Sequence, residues 1–134
     1  MTALSSVNAG SNSISFFDAV SLTREERIGV GSGPVSIAIE PSGRRAFVVN
    51  TLSGSLSVID LATREVAATV ATESAPLRGQ FNRRADRLYV IHDRSPYMTV
   101  LDARQLTVVA KVRLRSGVTA IEVDEVRDLV MVGG

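Results

Sequence analysis

A chain of 134 residues, 45% apolar and 22% charged, has the size and balance of one globular domain, which excludes disorder along its whole length. Fifteen Lys and Arg against fourteen Asp and Glu leave a net charge of +1, so no global field selects nucleic acid or an anionic membrane surface. The absence of cysteine excludes disulfides, thiolate metal sites and a cysteine nucleophile.

No apolar run approaches the roughly 18 residues of a membrane span. The opening MTALSSVNAG has neither the basic start nor the apolar stretch of a secretory signal, and the compartment stays open. From Val7 to Asp18, VNAGSNSISFFD supplies the end of one β-type run, a polar turn and a second run, and LTREERI (Leu22 to Ile28) follows as a further strand. PVSIAIE (Pro34 to Glu40) alternates Val35, Ile37 and Ile39 with smaller or polar residues. It closes at Pro41-Ser42-Gly43, where Pro fixes φ and Gly supplies φ > 0. The nearly continuous apolar run of RRAFVV is that of a strand covered on both faces. NTLSGS breaks it, LSVID resumes, LATR turns and EVAATV completes the set. These runs are too short for helices, and Val, Ile, Ser and Thr favour strands.

The same order then recurs. VNAGSNSISFFD (from Val7), VNTLSGSLSVID (from Val49) and IHDRSPYMTVLD (from Ile91) each begin 42 residues after the last, and the first two agree at six of twelve positions. Pro34 falls on Pro76, RRAFVVN on RLYVIH and DLVMVGG, and EVAATV on TVVAKV. Four short antiparallel strands at a period near 40 predict an all-β chain of β-propeller blades. The predicted divisions are a half-blade 1–33, blades 34–75 and 76–117, and a half-blade 118–134.

These residues resemble the YVTN-repeat β-propellers, whose repeats run Pro, strand, "pdG", a "vyVtN" strand, polar turn, "vsvID", "at" and a last strand. Here they read Pro34, SIAIEPSG, AFVVN, SGSLSVIDLAT and EVAATV. The resemblance implies the fold, and spans exported binding proteins, surface-layer proteins, haem- or quinone-associated propellers and lactonase-like relatives. Fold alone carries no activity. The third copy has NRRAD (Asn82 to Asp86) in place of "pdG", and the fourth has DEVRD (Asp124 to Asp128) with Val118 at the Pro position. Those turns are expected to differ in shape.

Three blades form an arc, whereas closed propellers have at least about four. Open blade edges predict self-association. The chain is either a partial propeller, a piece of a longer ring, or half of a six-bladed ring in which two copies share seam blades, two strands from each.

The loops entering strand one and those joining strands two and three share one end of a propeller. Here they are GSGPVS (Gly31 to Ser36), ESAPLRG (Glu73 to Gly79) and RSGVTA (Arg115 to Ala120), with NTLSGS and HDRSPY beside them. The candidate ligand-facing residues are Ser36, its repeat equivalent Arg78, Asn50, His92 and Asp93. His92 is the sole histidine and occupies the slot of Asn8 and Asn50, where capping a turn is the ordinary role. Asp18, Asp60 and Asp102 recur at one slot, where an Asp accepts from the N–H groups of the following turn. No nucleophile elbow, phosphate loop, zinc-protease or dinucleotide fingerprint occurs, and no cofactor is expected. The pairs Arg44-Arg45 and Arg83-Arg84, and Arg113 with Arg115, read as a solvated face. The function expected is a non-enzymatic binding or scaffold propeller presenting loops to a protein, peptide or small ligand. The alternative is part of an enzyme propeller, lactonase-like or haem- or quinone-associated, to which Asn8, Asn50, His92 and Asp93 could contribute.

Overall fold

The computed structural model describes residues 3–18, 25–73, 75–114, 120–124, 127 and 129–133. Strands β1 (Ala3–Asn8), β2 (Ser13–Asp18) and β3 (Glu25–Gly29) form the first antiparallel sheet. The second is β4 (Pro34–Ile39), β5 (Arg45–Asn50), β6 (Ser55–Asp60) and β7 (Glu65–Ala71). The third is β8 (Pro76–Phe81), β9 (Arg87–His92), β10 (Tyr97–Asp102) and β11 (Thr107–Arg113), and β12 (Ala120–Asp124) pairs with β13 (Leu129–Gly133) in the last. Among the described residues there is no α-helix, only a 3₁₀ turn at Ala9–Ser11. The second strands of successive blades start at Ala3, Arg45, Arg87 and Leu129, 42 residues apart, so the period read from the residues is the period of the fold. The Val118 position lies outside the described residues, as do 125, 126 and 128 of the DEVRD turn.

Each sheet is a meander in sequence order, and the sheets stack face to face. β5 shows why its sequence is apolar throughout: Ala46 and Val48 pack with Ile14, Phe16 and Ile28 of the first blade, while Phe47 and Val49 pack with Phe81, Leu88, Val90 and Leu101 of the third. Period-two alternation sends successive side chains to opposite faces, and both faces here are covered. Ile91, Met98 and Val100 repeat the arrangement against Ile121. Phe47 meets Phe81 edge-on with ring centroids 5.3 Å apart. Each fully buried Val, Leu, Ile or Phe contributes roughly 1.5–3 kcal/mol of transfer free energy. β11 is exposed along its length, and β13 exposes Leu129, Met131 and Val132.

The turns follow local chemistry. Asp60 Oδ1 accepts from the N–H groups of Ala62 (2.8 Å) and Thr63 (3.2 Å), and Asp102 Oδ1 from Arg104 and Gln105 (both 2.9 Å), as the recurring Asp predicts. The side chain of Asp18 is outside the described set. The strand-one-to-two turns correct an expectation. Gly43 (φ 73°) donates to the carbonyl of Glu40, and Ala85 (φ 57°) donates to that of Asn82, so the two turns have the same shape despite the lost Pro and Gly. Asn82 compensates: its Oδ1 accepts from Arg87 N (3.0 Å) and its Nδ2 donates to Asp86 (2.7 Å), which holds the Asp86 carboxyl below its usual pKa.

At this end of the arc Arg45 ties blades together. Its Nε and one terminal nitrogen each donate to Glu40 at 2.8 Å, the same nitrogen donates to the Ala103 carbonyl of the third blade at 2.6 Å, and the guanidinium lies 5.1 Å from the Phe47 ring centre. The Glu40 hydrogen bond raises the Arg45 pKa above the ordinary arginine value, against an opposing effect of burial.

β1 differs from its expected outline. It is a full strand, paired with β2 at six positions from Ala3↔Asp18 to Asn8↔Ser13, not the end of one. The strand-two slot is therefore filled in both terminal sheets, by β1 and by β13. Two copies contributing two strands each to a seam would have to displace one of them.

Candidate functional site: the loop end of the arc

The 4-to-1 connections and the 2-to-3 turns meet at one end of the blades and are laced to each other. Thr51 N donates to Gly33 O (2.9 Å), Leu52 N and Ser53 N donate to Ser32 O (3.1 and 3.2 Å), and Ser53 Oγ accepts from Ser32 N (3.1 Å). The next blade repeats the first of these, Asp93 N donating to Ala75 O at 2.8 Å. Gly33 (φ 67°) and Ala75 (φ 50°) hold the same left-handed position. Gly54 (φ 59°) is confined, because a Cβ there would lie 2.7 Å from the carbonyl oxygen of Glu73.

Two further bonds cross between blades. Ser36 Oγ donates to Leu77 O (2.8 Å) and Thr51 Oγ1 donates to Pro76 O (2.7 Å). Both blades carry a bulge at the start of strand one, where Pro34 pairs with Asn50 and Ser36 with Val49, and Pro76 pairs with His92 and Arg78 with Ile91. The extra residue, Val35 or Leu77, takes its backbone out of regular pairing, and the Leu77 carbonyl is the one that Ser36 meets.

The slot shared by Asn8, Asn50 and His92 forms a row of cross-strand ties. Asn8 Nδ2 donates to Ser15 Oγ (2.7 Å), Asn50 Nδ2 to Ser57 Oγ (2.9 Å), and His92 Nε2 shares a 2.7 Å hydrogen bond with Thr99 Oγ1. The partner sits diagonally across the strand pair, the reach expected of a side chain at a strand end. Asn50 and His92 are buried, and Gly31 leaves room for the former, since a Cβ there would stand 2.7 Å from Asn50 Nδ2. Asn50 Oδ1 accepts from no protein group.

Of the five candidates, the structure therefore places Ser36 in a bond between blades, Asn50 and His92 in ties within blades, and Arg78 and Asp93 exposed at the loop end. Leu52, 81% exposed, and Val35 stand out beside them. The connection at Glu73 is pinned from outside by Lys111, whose ammonium holds the Glu73 carboxyl below its ordinary pKa. Residues 115–119 of the RSGVTA loop lie outside the described residues. Sequence reasoning passed over Thr51, Leu52 and Thr99. Thr99 was findable, since Ser15, Ser57 and Thr99 are spaced by the same 42 residues. Among the described residues no three His, Asp or Glu side chains converge as a metal site, and no helix is long and apolar enough to cross a membrane.

No family model and no curated protein matches the chain. Solved structures do. A chain of hydrazine synthase from Kuenenia stuttgartiensis superposes with a TM-score of 0.81 at 21% identity, over 85% of this chain and 33% of that one. A functionally unknown protein from Desulfotomaculum acetoxidans gives 0.81 at 16% identity, over 89% and 39%. Dihydro-heme d1 dehydrogenase NirN, solved in complex with DHE, gives 0.71 at 18% identity, over 81% and 25%. These neighbours are propeller-type chains, and the sheets described above are propeller blades. The chain spans between a quarter and two-fifths of the length of the structures it resembles.

Proposed function

We propose that the chain is a YVTN-type propeller segment whose loop end recognises a protein, peptide or small ligand without performing chemistry on it. The observation that carries this reading is the division of labour at that end. The side chains with reactive or ligating potential, Asn50 and His92, are spent on buried ties, while Leu52, Val35, Arg78 and Asp93 project from turns held by backbone hydrogen bonds. Mixed apolar and charged groups on a preorganised frame suit recognition, because little ordering entropy is lost on binding. Amide hydrogen exchange in the presence of fractions from a native extract tests it. Protection concentrated at residues 50–54, 76–78 and 92–94 supports the reading, and protection elsewhere with none at those positions refutes it.

A second reading rests on the neighbours. The likeness to hydrazine synthase and to NirN in complex with DHE favours a segment of an enzyme-associated propeller. A haem titration followed by absorption separates the two: a shifted Soret band at stoichiometric haem favours the second reading, and an unshifted one favours the first.

A further inference from the structure

The end of the arc opposite the loops holds a cavity of about 1120 Å³ that the reading above does not use. Five guanidinium groups line it, those of Arg44, Arg45, Arg64, Arg84 and Arg104, brought from turns of the second and third blades. Two carboxylates, Glu40 and Asp60, share the lining, and both are engaged. Glu40 takes two hydrogen bonds from Arg45, and Asp60 Oδ1 takes the two turn N–H groups. Among the described residues no carboxylate lies within ion-pair distance of Arg44, Arg64, Arg84 or Arg104. Asp86 and Asp102 feel the charge of Arg104 from outside the lining. Arg64 is held in place, its Nε donating to Leu61 O (3.1 Å) and its guanidinium stacked 4.8 Å from the centre of the Phe16 ring.

We propose that this cavity binds a small anion carrying two or more linked phosphates. Arginine presents planar paired donors that match phosphate oxygens, and like charges gathered around one concavity raise the local concentration of a polyanion. The guanidiniums come from separate turns, so one phosphate cannot satisfy them all, whereas an oligophosphate can bridge them. The volume, at the upper end of ordinary ligand sites, leaves room for an organic group beyond the phosphates. Leu61 and Ile39 supply apolar wall for it. The site is separate from the loop end and stands whether or not the recognition reading holds.

Calorimetric titration of the chain with tripolyphosphate, with ATP in the absence of divalent metal, and with inorganic phosphate tests the proposal. Tripolyphosphate is expected to bind at least tenfold more tightly than phosphate, and ATP more tightly still if the apolar wall is used. Equal affinity for ATP and tripolyphosphate assigns the site to the phosphate chain alone. The variant R44Q/R84Q/R104Q removes three exposed side chains with no packing role and should weaken tripolyphosphate by a hundredfold or more. R78Q, at the other end, should leave it unchanged. Absence of tripolyphosphate binding, affinity no greater than for phosphate, an unaltered triple variant with native circular dichroism, or loss on R78Q alone would each overturn the proposal.

Discussion

Replacing Arg45 with Met isolates the bridge between the second and third blades. Methionine keeps the apolar stem over Phe47 and removes all three donated hydrogen bonds, leaving the Glu40 carboxylate, 9% exposed, without its cation. Breaking a buried pair from one side costs about 3–5 kcal/mol, and the 25% exposure of Arg45 lowers this to about 2–3 kcal/mol through solvent screening. If the cost is chiefly the stranded charge, E40Q/R45M should recover about half of it, since a neutral amide is cheaper to bury. The assay is urea unfolding of wild type, both single variants and the double variant, with slopes compared to confirm a common unfolding transition. A coupling energy of about 1 kcal/mol or more is expected. A loss below about 0.5 kcal/mol in R45M, or a double variant no better than R45M, would refute the bridge as a stabilising contact.

Other outcomes follow from single positions. Gly43→Ala meets open space and should cost about 1 kcal/mol for its left-handed backbone alone, while Gly54→Ala adds a clash with the Glu73 carbonyl and should cost over twice as much in the same unfolding assay. A double-mutant cycle of Asn50→Ala and Ser57→Ala should give a coupling of about 1 kcal/mol, and zero coupling would contradict the tie. Turn N–H donation, first from Gln105, places the Asp102 pKa below its unfolded value. Its contribution is therefore present above the unfolded pKa of about 4 and lost as pH falls through the lower folded one. The stability gap between wild type and Asp102→Asn should be widest near neutrality and close in acid, and a gap constant with pH would exclude this linkage.

The blade slots were legible in the residues because a strand covered on both faces must be apolar throughout, as in Ala46–Val49, and because turns need Asp, Gly or Pro at fixed offsets. The roles of Asp60 and Asp102 followed from the same logic. The shape of the Asn82–Asp86 turn did not, since Asn82 reproduces with its side chain what Pro and Gly secure through backbone preference. The fate of Ser36 was hidden for a different reason. Its hydrogen-bond partner is created by a bulge in another blade, which no local pattern announces. The arginine cavity was invisible because its members are about twenty residues apart and converge only when blades stack; in sequence each has an acid nearby and reads as solvated surface.

The joints between blades are alike: Gly33 and Ala75 adopt the same left-handed backbone, each receives a hydrogen bond from the turn that follows, and each leads into a proline. A chain built on such joints is modular in a literal sense. Excising residues 34–75 would fuse Gly33 to Pro76 through a connection of unchanged geometry, so the arc can lengthen or shorten only in whole blades. Ser36 and Arg45, whose partners lie one blade away, mark what such an excision would cost, because the third blade offers Arg78 and Arg87 in their places. Duplication is cheap at the backbone and limited by side chains that have already specialised toward a particular neighbour.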